Sequence, residues 1–382
     1  MAIFSKIRIN HYKRIVSADL QLRDLNVLIG ANGVGKTSLL ESFQLLASAA
    51  QGGLQEKINA KGGLESLQTF DSKDDLGFSV EMPSAGHAPL SYEIEFRKSG
   101  LGYLIQRETL SQKRPNFDNP FLYINSSGAD VRYYDSGKLL RPTWEHNPLE
   151  ASLSQVPKMY REAEEFRKRL ASLAYYGLIV TDSNAPIRQP QQMRPASNPG
   201  KTGEDLISSL YFLRESNRER FEVLEDTLSA AFPSFERLDF PPVAAGILTL
   251  TWKDRNFRHP IYLHQLSEGT IRFLWLAAIL LTEETPSVTL LDEPEVSMHP
   301  ELLRLLVDLF RGAAKRTQLI VATHSERLVR FLEPKEVLVL DYDDSGATQF
   351  QWADSDQLDL EKWLADYSLD QLWQMGRLGG KA

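Results

Sequence analysis

The sequence predicts an α/β fold whose core is divided into two halves by a β-rich and helical insertion. Three observations carry this expectation. Apolar runs of strand length at 25–29, 287–291 and 318–322 each give way to a turn and then to helical periodicity, the pattern of buried parallel strands alternating with helices. The first run stands far from the other two, and the chain between them reads as short alternating strands followed by amphipathic helices. Hydrophobic residues make up 42% of the 382 positions and charged residues 25%, which allows a sizeable core and gives no basis for global disorder.

Taken in order, 3–9 and 18–22 alternate apolar and polar residues, as strands of an antiparallel sheet with one buried face do. The run 25–29 is more continuously apolar and ends at Gly30. From Lys36 to about Ala50, the residues Leu39, Leu40, Phe43, Leu46 and Ala47 recur at helical spacing. Residues 51–76 are mixed, and 77–134 predict a small antiparallel sheet. Amphipathic helices are predicted over 153–173 and 204–231, the second with Asn217 interrupting its apolar seam. Between them, 183–203 is rich in Pro, Gln and Asn and reads as a mobile linker. Strand and helix signals return with a strand near 248–252, a helix after Ser267, a strand at 287–291, a helix opened by Pro300 and a strand at 318–322. The expected organisation is an N-terminal core half (1–76), an insertion (77–240) and a C-terminal core half (241–382).

Several function classes fall away on composition. The longest uninterrupted apolar run, 273–281, is far shorter than the roughly 20 residues a membrane-spanning helix needs. The opening residues alternate and carry Lys6 and Arg8, unlike a signal peptide, so a cytoplasmic protein with no membrane partner is expected. The absence of cysteine excludes disulfides, thiolate metal sites and a cysteine nucleophile. A formal net charge of −8 leaves any nucleic-acid contact to a local basic patch.

The chemistry-bearing motifs sit between these elements. Gly30-Ala31-Asn32-Gly33-Val34-Gly35-Lys36-Thr37 matches G-x-x-x-x-G-K-[ST] in full, with a predicted strand before it and a predicted helix after it. Its glycines let the backbone wrap a phosphate, and the helix N-terminus, from Lys36 through Ser38, adds positive potential. Lys36 is expected to reach the β- and γ-phosphates, and Thr37 to give its hydroxyl to Mg²⁺. A second strand-like run ends in Asp292-Glu293. Asp292 is expected to hold the Mg²⁺ opposite Thr37, and Glu293, pointing elsewhere, to take a proton from an attacking water. A third strand leads to Thr323-His324-Ser325, where His324 can hydrogen-bond a γ-phosphate. Ser267-Glu268-Gly269 opens a helix that is apolar on nearly every side and makes a second helix N-terminus for an anion. Each feature alone also reads as a strand end, a structural histidine or a helix cap.

Together, GANGVGKT, LSEGT, VTLLDEPE, SMHP and THS resemble the Walker A, signature, Walker B, D-loop and switch-histidine motifs of ABC ATPases. The likeness covers both core halves and not the insertion. It implies that ATP and Mg²⁺ are bound and ATP is hydrolysed to ADP and phosphate, with Lys36, Glu293 and His324 catalytic. It further implies that Ser267, Glu268 and Gly269 act on the ATP of a second subunit, in a homodimer or higher even-numbered oligomer with Ser297 at the interface. The 256 residues between Lys36 and Asp292, and the opening HYKRIVSADL, resemble the RecF, SMC and overcoming-lysogenization-defect branch. Compact bacterial ATPases of that branch are often encoded beside an effector and linked to phage defence. The role this implies is a regulatory or sensing switch for a separate effector, with Lys13 and Arg14 marked as nucleotide or DNA contacts. The alternative is a repair ATPase acting directly on DNA; a transporter energy subunit and a module using ATP only as glue are more remote. The 58 residues after His324 are too few for the Toprim nuclease domain of some relatives, and the family's Q-loop glutamine has no place by motif.

Three other features have ordinary readings. Asp341-Tyr342-Asp343-Asp344 before Ser345-Gly346 predicts a hairpin turn and not a metal cluster. Arg188, Arg194 and Lys201 lie in a stretch without acids, the best place for a DNA or partner contact if it is not a solvated loop. Trp363, Leu364, Tyr367, Leu369, Leu372 and Trp373 suggest a C-terminal helix docking on its own domain.

Overall fold

The computed structural model describes residues 2–355, 367–376 and 378, apart from 71, 101, 129, 136, 137 and 283. Among these, the three predicted apolar runs are neighbours in one six-stranded sheet. Its order is Leu173–Tyr176, Val288–Asp292, Gln318–Ala322, Leu25–Ile29, Val337–Tyr342, Thr348–Trp352. The first five strands run parallel, and the last returns antiparallel through the predicted hairpin. Every residue of Leu25–Ile29 and Gln318–Ala322 is buried, because both faces of the sheet are covered. Alternate side chains serve different cores: Val27, Ile29, Val321 and Val339 join one cluster, while Leu28, Ile320, Leu338 and Leu340 join the other.

The first cluster is completed by the helices Leu206–Ser216, Arg218–Ala231, Glu268–Leu281 and Pro300–Ala313. The second is completed by the helix Lys36–Gln51 and by an eight-stranded antiparallel sheet. That outer sheet is larger than the small one expected over 77–134. The N-terminal hairpin, Lys6–Tyr12 with Ile15–Gln21, joins it along Leu76–Ser84, with Ile7 opposite Val80 and Ile9 opposite Phe78. A hairpin strand has a second edge whose N–H and C=O groups need partners, and one continuous sheet therefore runs across residue 76.

Each long predicted helix is two. The first breaks at Val156-Pro157 into Ser152–Gln155 and Arg161–Ala171, since the residue before a proline is driven to extended backbone. Its last predicted residue, Leu173, instead opens a core strand. The second breaks at Asn217, whose side chain accepts from the Arg220 N–H at 3.1 Å and caps Arg218–Ala231. The strand near 248–252 is also divided: Ile247–Leu248 and Thr251–Asp254 lie in different small sheets.

The segment 183–203 is not a mobile linker. Gln191–Gln192 pairs with Ile247–Leu248, and buried Gln191 donates to the Gly203 carbonyl at 2.7 Å and accepts from the Ile207 N–H at 2.8 Å. Proline and amide content marked it as irregular, and irregular backbone here is held by side chains instead of a ladder. The helix Leu369–Gln374 packs into the first cluster, as expected, with Leu372 fully buried; Trp363 and Leu364 fall outside the described residues. No helix among the described residues is long and apolar enough to cross a membrane.

Candidate nucleotide site

Three neighbouring parallel strands end at one edge of the core sheet. Asp292, Ala322 and Leu28 lie in register across them, so the residues that follow each strand emerge side by side. Ligands of open α/β sheets bind at this edge.

The loop after Leu25–Ile29 is held by close backbone approach. Gly30 has φ 148° and Gly35 φ 111°; a Cβ on Gly30 would stand 2.3 Å from the Leu340 carbonyl oxygen, and one on Gly35 3.1 Å from Thr348 Oγ1. Thr348 also donates to the Val34 carbonyl at 2.8 Å. The C-terminal hairpin thus props the loop, a support with no signal in the sequence. Lys36 is buried and donates to the carbonyls of Gly30 at 2.6 Å and Ala31 at 2.9 Å. Burial pushes its ammonium down to about 8, against the pull of Glu293 and Asp292. Asn32, Gly33 and Thr37 are exposed, and Ala31 and Ser38 half-buried, so the loop opens to solvent while Val34 and Gly35 anchor it.

The two acidic residues make different contacts. Asp292 accepts from the Tyr175 hydroxyl at 3.0 Å; burial pushes its carboxyl up, opposed by that hydrogen bond. Tyr175 belongs to the neighbouring strand Leu173–Tyr176. Nothing in its sequence context marks it, because an apolar aromatic stretch reads simply as strand. Glu293 takes a left-handed conformation, φ 50°, and its N–H donates to the Ala322 carbonyl at 2.8 Å. Its Oε1 lies 3.5 Å from His324 Nε2. Both remain open to solvent, with side-chain exposures of 44% for Glu293 and 37% for His324. Burial pushes His324 down, helped by the charge of Lys36 and opposed by Glu293. Lys36, Asp292, Glu293 and His324 therefore share one electrostatic neighbourhood.

Ser267, Glu268 and Gly269 form a separate group. Ser267 caps the helix Glu268–Leu281 and accepts from the Thr270 N–H at 3.2 Å. Glu268 pairs with Arg272 at 2.6 Å and accepts from the Ser297 hydroxyl at 3.3 Å. A Cβ on Gly269 would stand 2.6 Å from the Ser297 carbonyl oxygen, so only glycine lets the Ser297 turn pack there. Among the described residues, no hydrogen bond or ion pair joins 267–269 to 30–38.

The basic residues singled out earlier are mostly engaged. Arg188 donates to the carbonyls of Thr181 at 2.6 Å, His264 at 3.0 Å and Leu266 at 2.9 Å, clamping the approach to Ser267. Arg194 forms a two-point pair with Asp205, and Lys201 is exposed. Lys13 pairs with Glu41, as does Lys61. Arg14 lies over the Tyr342 ring at 5.7 Å, beside the phosphate loop. Asp343 accepts from the N–H groups of Ser345 and Ala347, each at 2.9 Å, which is the hairpin turn expected.

The residues present suit a phosphate chain with its cation. The loop has no room for side chains at Gly30 and Gly35, and a free hydroxyl (Thr37) and a half-buried carboxylate (Asp292) stand at its mouth. No cluster of three His, Asp or Glu among the described residues could hold a metal unaided. A cation here would take its remaining ligands from phosphate and water, as Mg²⁺ commonly does.

Residues 25–330 match the family described as "AAA domain, putative AbiEii toxin, Type IV TA system". No curated protein sequence matches the chain. Among solved structures, the Smc head bound to the C-winged helix domain of ScpA is 11% identical, with a TM-score of 0.54 over 91% of this chain and 96% of that one. A Smc head with an extended coiled coil, bound to the C-terminal domain of ScpA derived from Pyrococcus furiosus, is also 11% identical, with a TM-score of 0.54 over 95% and 100%. At this identity the likeness speaks for the fold. The matched span takes in the phosphate loop, the acidic pair and His324, and on this ground the chain belongs to the AAA_21 family and has the fold of an ABC-type ATPase of the RecF/SMC-like branch.

Proposed function

We propose that the protein binds ATP at the edge formed by Lys36, Asp292, Glu293 and His324 and hydrolyses it to ADP and phosphate. The observation that carries this reading is their convergence at the ends of three adjacent strands, from parts of the chain far apart in sequence. The loop 30–38 cradles the phosphates, and Lys36 exchanges its two carbonyl partners for β- and γ-phosphate oxygens. Thr37 and Asp292 would hold Mg²⁺, which when bound neutralises phosphate charge. Glu293 accepts a proton from the water that attacks the γ-phosphorus as the bond to the β-phosphate oxygen breaks. His324 hydrogen-bonds the γ-phosphate.

Glu293 and His324 are open to solvent, and Ser267 and Glu268 are exposed with no bond to residues 30–38 among the described residues. This division favours a head-to-tail homodimer, or a higher even-numbered assembly, in which Ser267, Glu268 and Gly269 of one copy close on the phosphates of the other. The assembly excludes water and acts as a switch for a separate effector. The AbiEii and toxin–antitoxin wording of the family description supports a place in bacterial anti-phage defence. That the Smc heads carry ScpA supports a protein partner for a head of this fold. Direct action on DNA is the second reading. It is weakened by the internal engagement of Arg188 and Arg194.

The test is Glu293→Gln. The variant is expected to bind ATP as the unaltered protein does, release no phosphate, and accumulate as an ATP-dependent dimer on sizing. Phosphate release at an unaltered rate would refute Glu293 as the base; failure of the unaltered chain to bind ATP would refute the whole reading.

A further inference from the structure

Glu295 lies in the turn between the acidic pair and the helix opened by Pro300, and no role has yet been given to it. The turn is bracketed by two left-handed residues, Glu293 at φ 50° and Ser297 at φ 64°. Its backbone closes on itself, with the Val296 N–H donating to the Glu293 carbonyl at 3.3 Å and the Met298 N–H to the Glu295 carbonyl at 3.1 Å. The Glu295 carboxyl crosses to the neighbouring strand end. Its Oε1 accepts from the Thr323 hydroxyl and from the His324 N–H at 3.3 Å. Thr323 Oγ1 in turn accepts from the Ser325 N–H at 3.0 Å. One carboxyl oxygen thus organises the whole turn that carries His324.

The other oxygen is unusual. Oε2 of Glu295 is sealed from solvent and has no partner among the described residues. A carboxylate so placed would leave charge uncompensated at a cost of several kcal/mol. Burial pushes the group up, opposed by its hydrogen bonds to Thr323 and to backbone N–H groups. The same turn also reaches the other half-site: the Ser297 carbonyl oxygen packs where Gly269 lacks a side chain.

We infer that Glu295 is a positioning residue, which as a buried hydrogen-bond acceptor fixes the Thr323-His324 turn and so sets His324 against Glu293. The inference rests on the ATPase reading for its consequence but not for its geometry, and the two are separable by experiment. Three variants decide it: Glu295→Ala removes the acceptor, Glu295→Gln keeps a neutral acceptor of the same shape, and Thr323→Val removes the donor from the other side.

In the ligand-free full-length chain, the His324 ring resonances, identified by their loss in His324→Asn, are expected to move in Glu295→Ala and in Thr323→Val and to stay put in Glu295→Gln. In turnover, Glu295→Ala is expected to lower kcat about tenfold, through loss of the acceptor for the Thr323 hydroxyl and the His324 N–H. Its KM for ATP should stay within about twofold, and Glu295→Gln should keep most of the rate. Glu295→Ala combined with Thr323→Val should lose less than the two single losses together, because the Thr323–Glu295 contact is removed in both. Unmoved His324 resonances in Glu295→Ala, or equal loss of rate in Glu295→Gln, would overturn the assignment. An unaltered chain that binds no ATP would sink the ATPase reading, while the resonances would still decide the positioning role.

Discussion

Two helix N-termini of this molecule enter the proposed ATP site, and they differ in almost every other respect. The helix Lys36–Gln51 starts from a loop of left-handed glycines with a buried lysine already aimed into it. The helix Glu268–Leu281 starts from Ser267, which stands exposed and whose hydroxyl accepts from the Thr270 N–H of its own helix. The first has the left-handed glycines, the charge and the burial that suit a phosphate chain. The second is a capped helix end that can add to a phosphate site only when another surface brings one to it. In the proposed dimer the first half would supply affinity, and turnover would wait on the second.

Removing charge from the first half should show the largest effect. Lys36→Ala is expected to weaken ATP binding by about 100-fold or more, through loss of two charge-assisted hydrogen bonds, measured by titration with a fluorescent ATP analogue. Gly30→Ala should be comparably severe by a different route. Its Cβ meets the Leu340 carbonyl oxygen at 2.3 Å, and a loss of about 2–4 kcal/mol in chemical denaturation is expected, with binding lost alongside.

The second half should behave oppositely. Ser267→Ala removes an N-cap and is expected to cost about 1 kcal/mol of stability, to leave ATP affinity within about twofold, and to slow phosphate release about tenfold. Equal loss of affinity in Lys36→Ala and Ser267→Ala would erase the contrast.

pH sharpens it further. The free Lys36 ammonium is pushed down to about 8, so above that value the loop progressively loses its cation. ATP binding should weaken with rising pH, by up to about tenfold per unit, and Lys36→Arg should flatten the dependence because guanidinium stays charged. The linked stability runs the other way. The unfolded chain holds this proton more tightly than the folded one between about 8 and the ordinary lysine value, so the group's contribution to stability rises with pH across that window and is lost as pH falls through 8.

The smallest effect concerns Tyr175. Its hydroxyl is one hydrogen bond to Asp292 at 3.0 Å, and Tyr175→Phe should raise the Mg²⁺ concentration for half-maximal ATP binding severalfold, restored by excess Mg²⁺. An unchanged Mg²⁺ requirement would make the contact incidental.

How much of this was legible beforehand varies with the range of the interaction. The phosphate loop, the turn at 341–346 and the cap at Ser267 depend on residues within a few positions of one another, so glycine, proline and cap chemistry announce them. The breaks at Pro157 and Asn217 were legible in principle for the same reason, and periodicity alone concealed them. The outer sheet was misjudged in size because pairing between Lys6–Tyr12 and Leu76–Ser84 joins edges that no local pattern connects. The segment 183–203 looked mobile because its order comes from Gln191 and Arg188 reaching distant carbonyls.

The sequence by itself determined the parts that obey short-range rules: buried strands, helix starts, a loop that only glycine can follow, and the residue types able to hold a phosphate, a cation and a proton. Only the tertiary structure decided which of them meet. Parallel pairing set Leu25–Ile29 beside Gln318–Ala322 and that strand beside Val288–Asp292, and the register of those pairings put Lys36, Asp292, Glu293 and His324 within one another's fields. Tyr175, Thr348 and Glu295 became visible only then, because a side chain that acts by supporting another has no meaning until its partner's place in space is known.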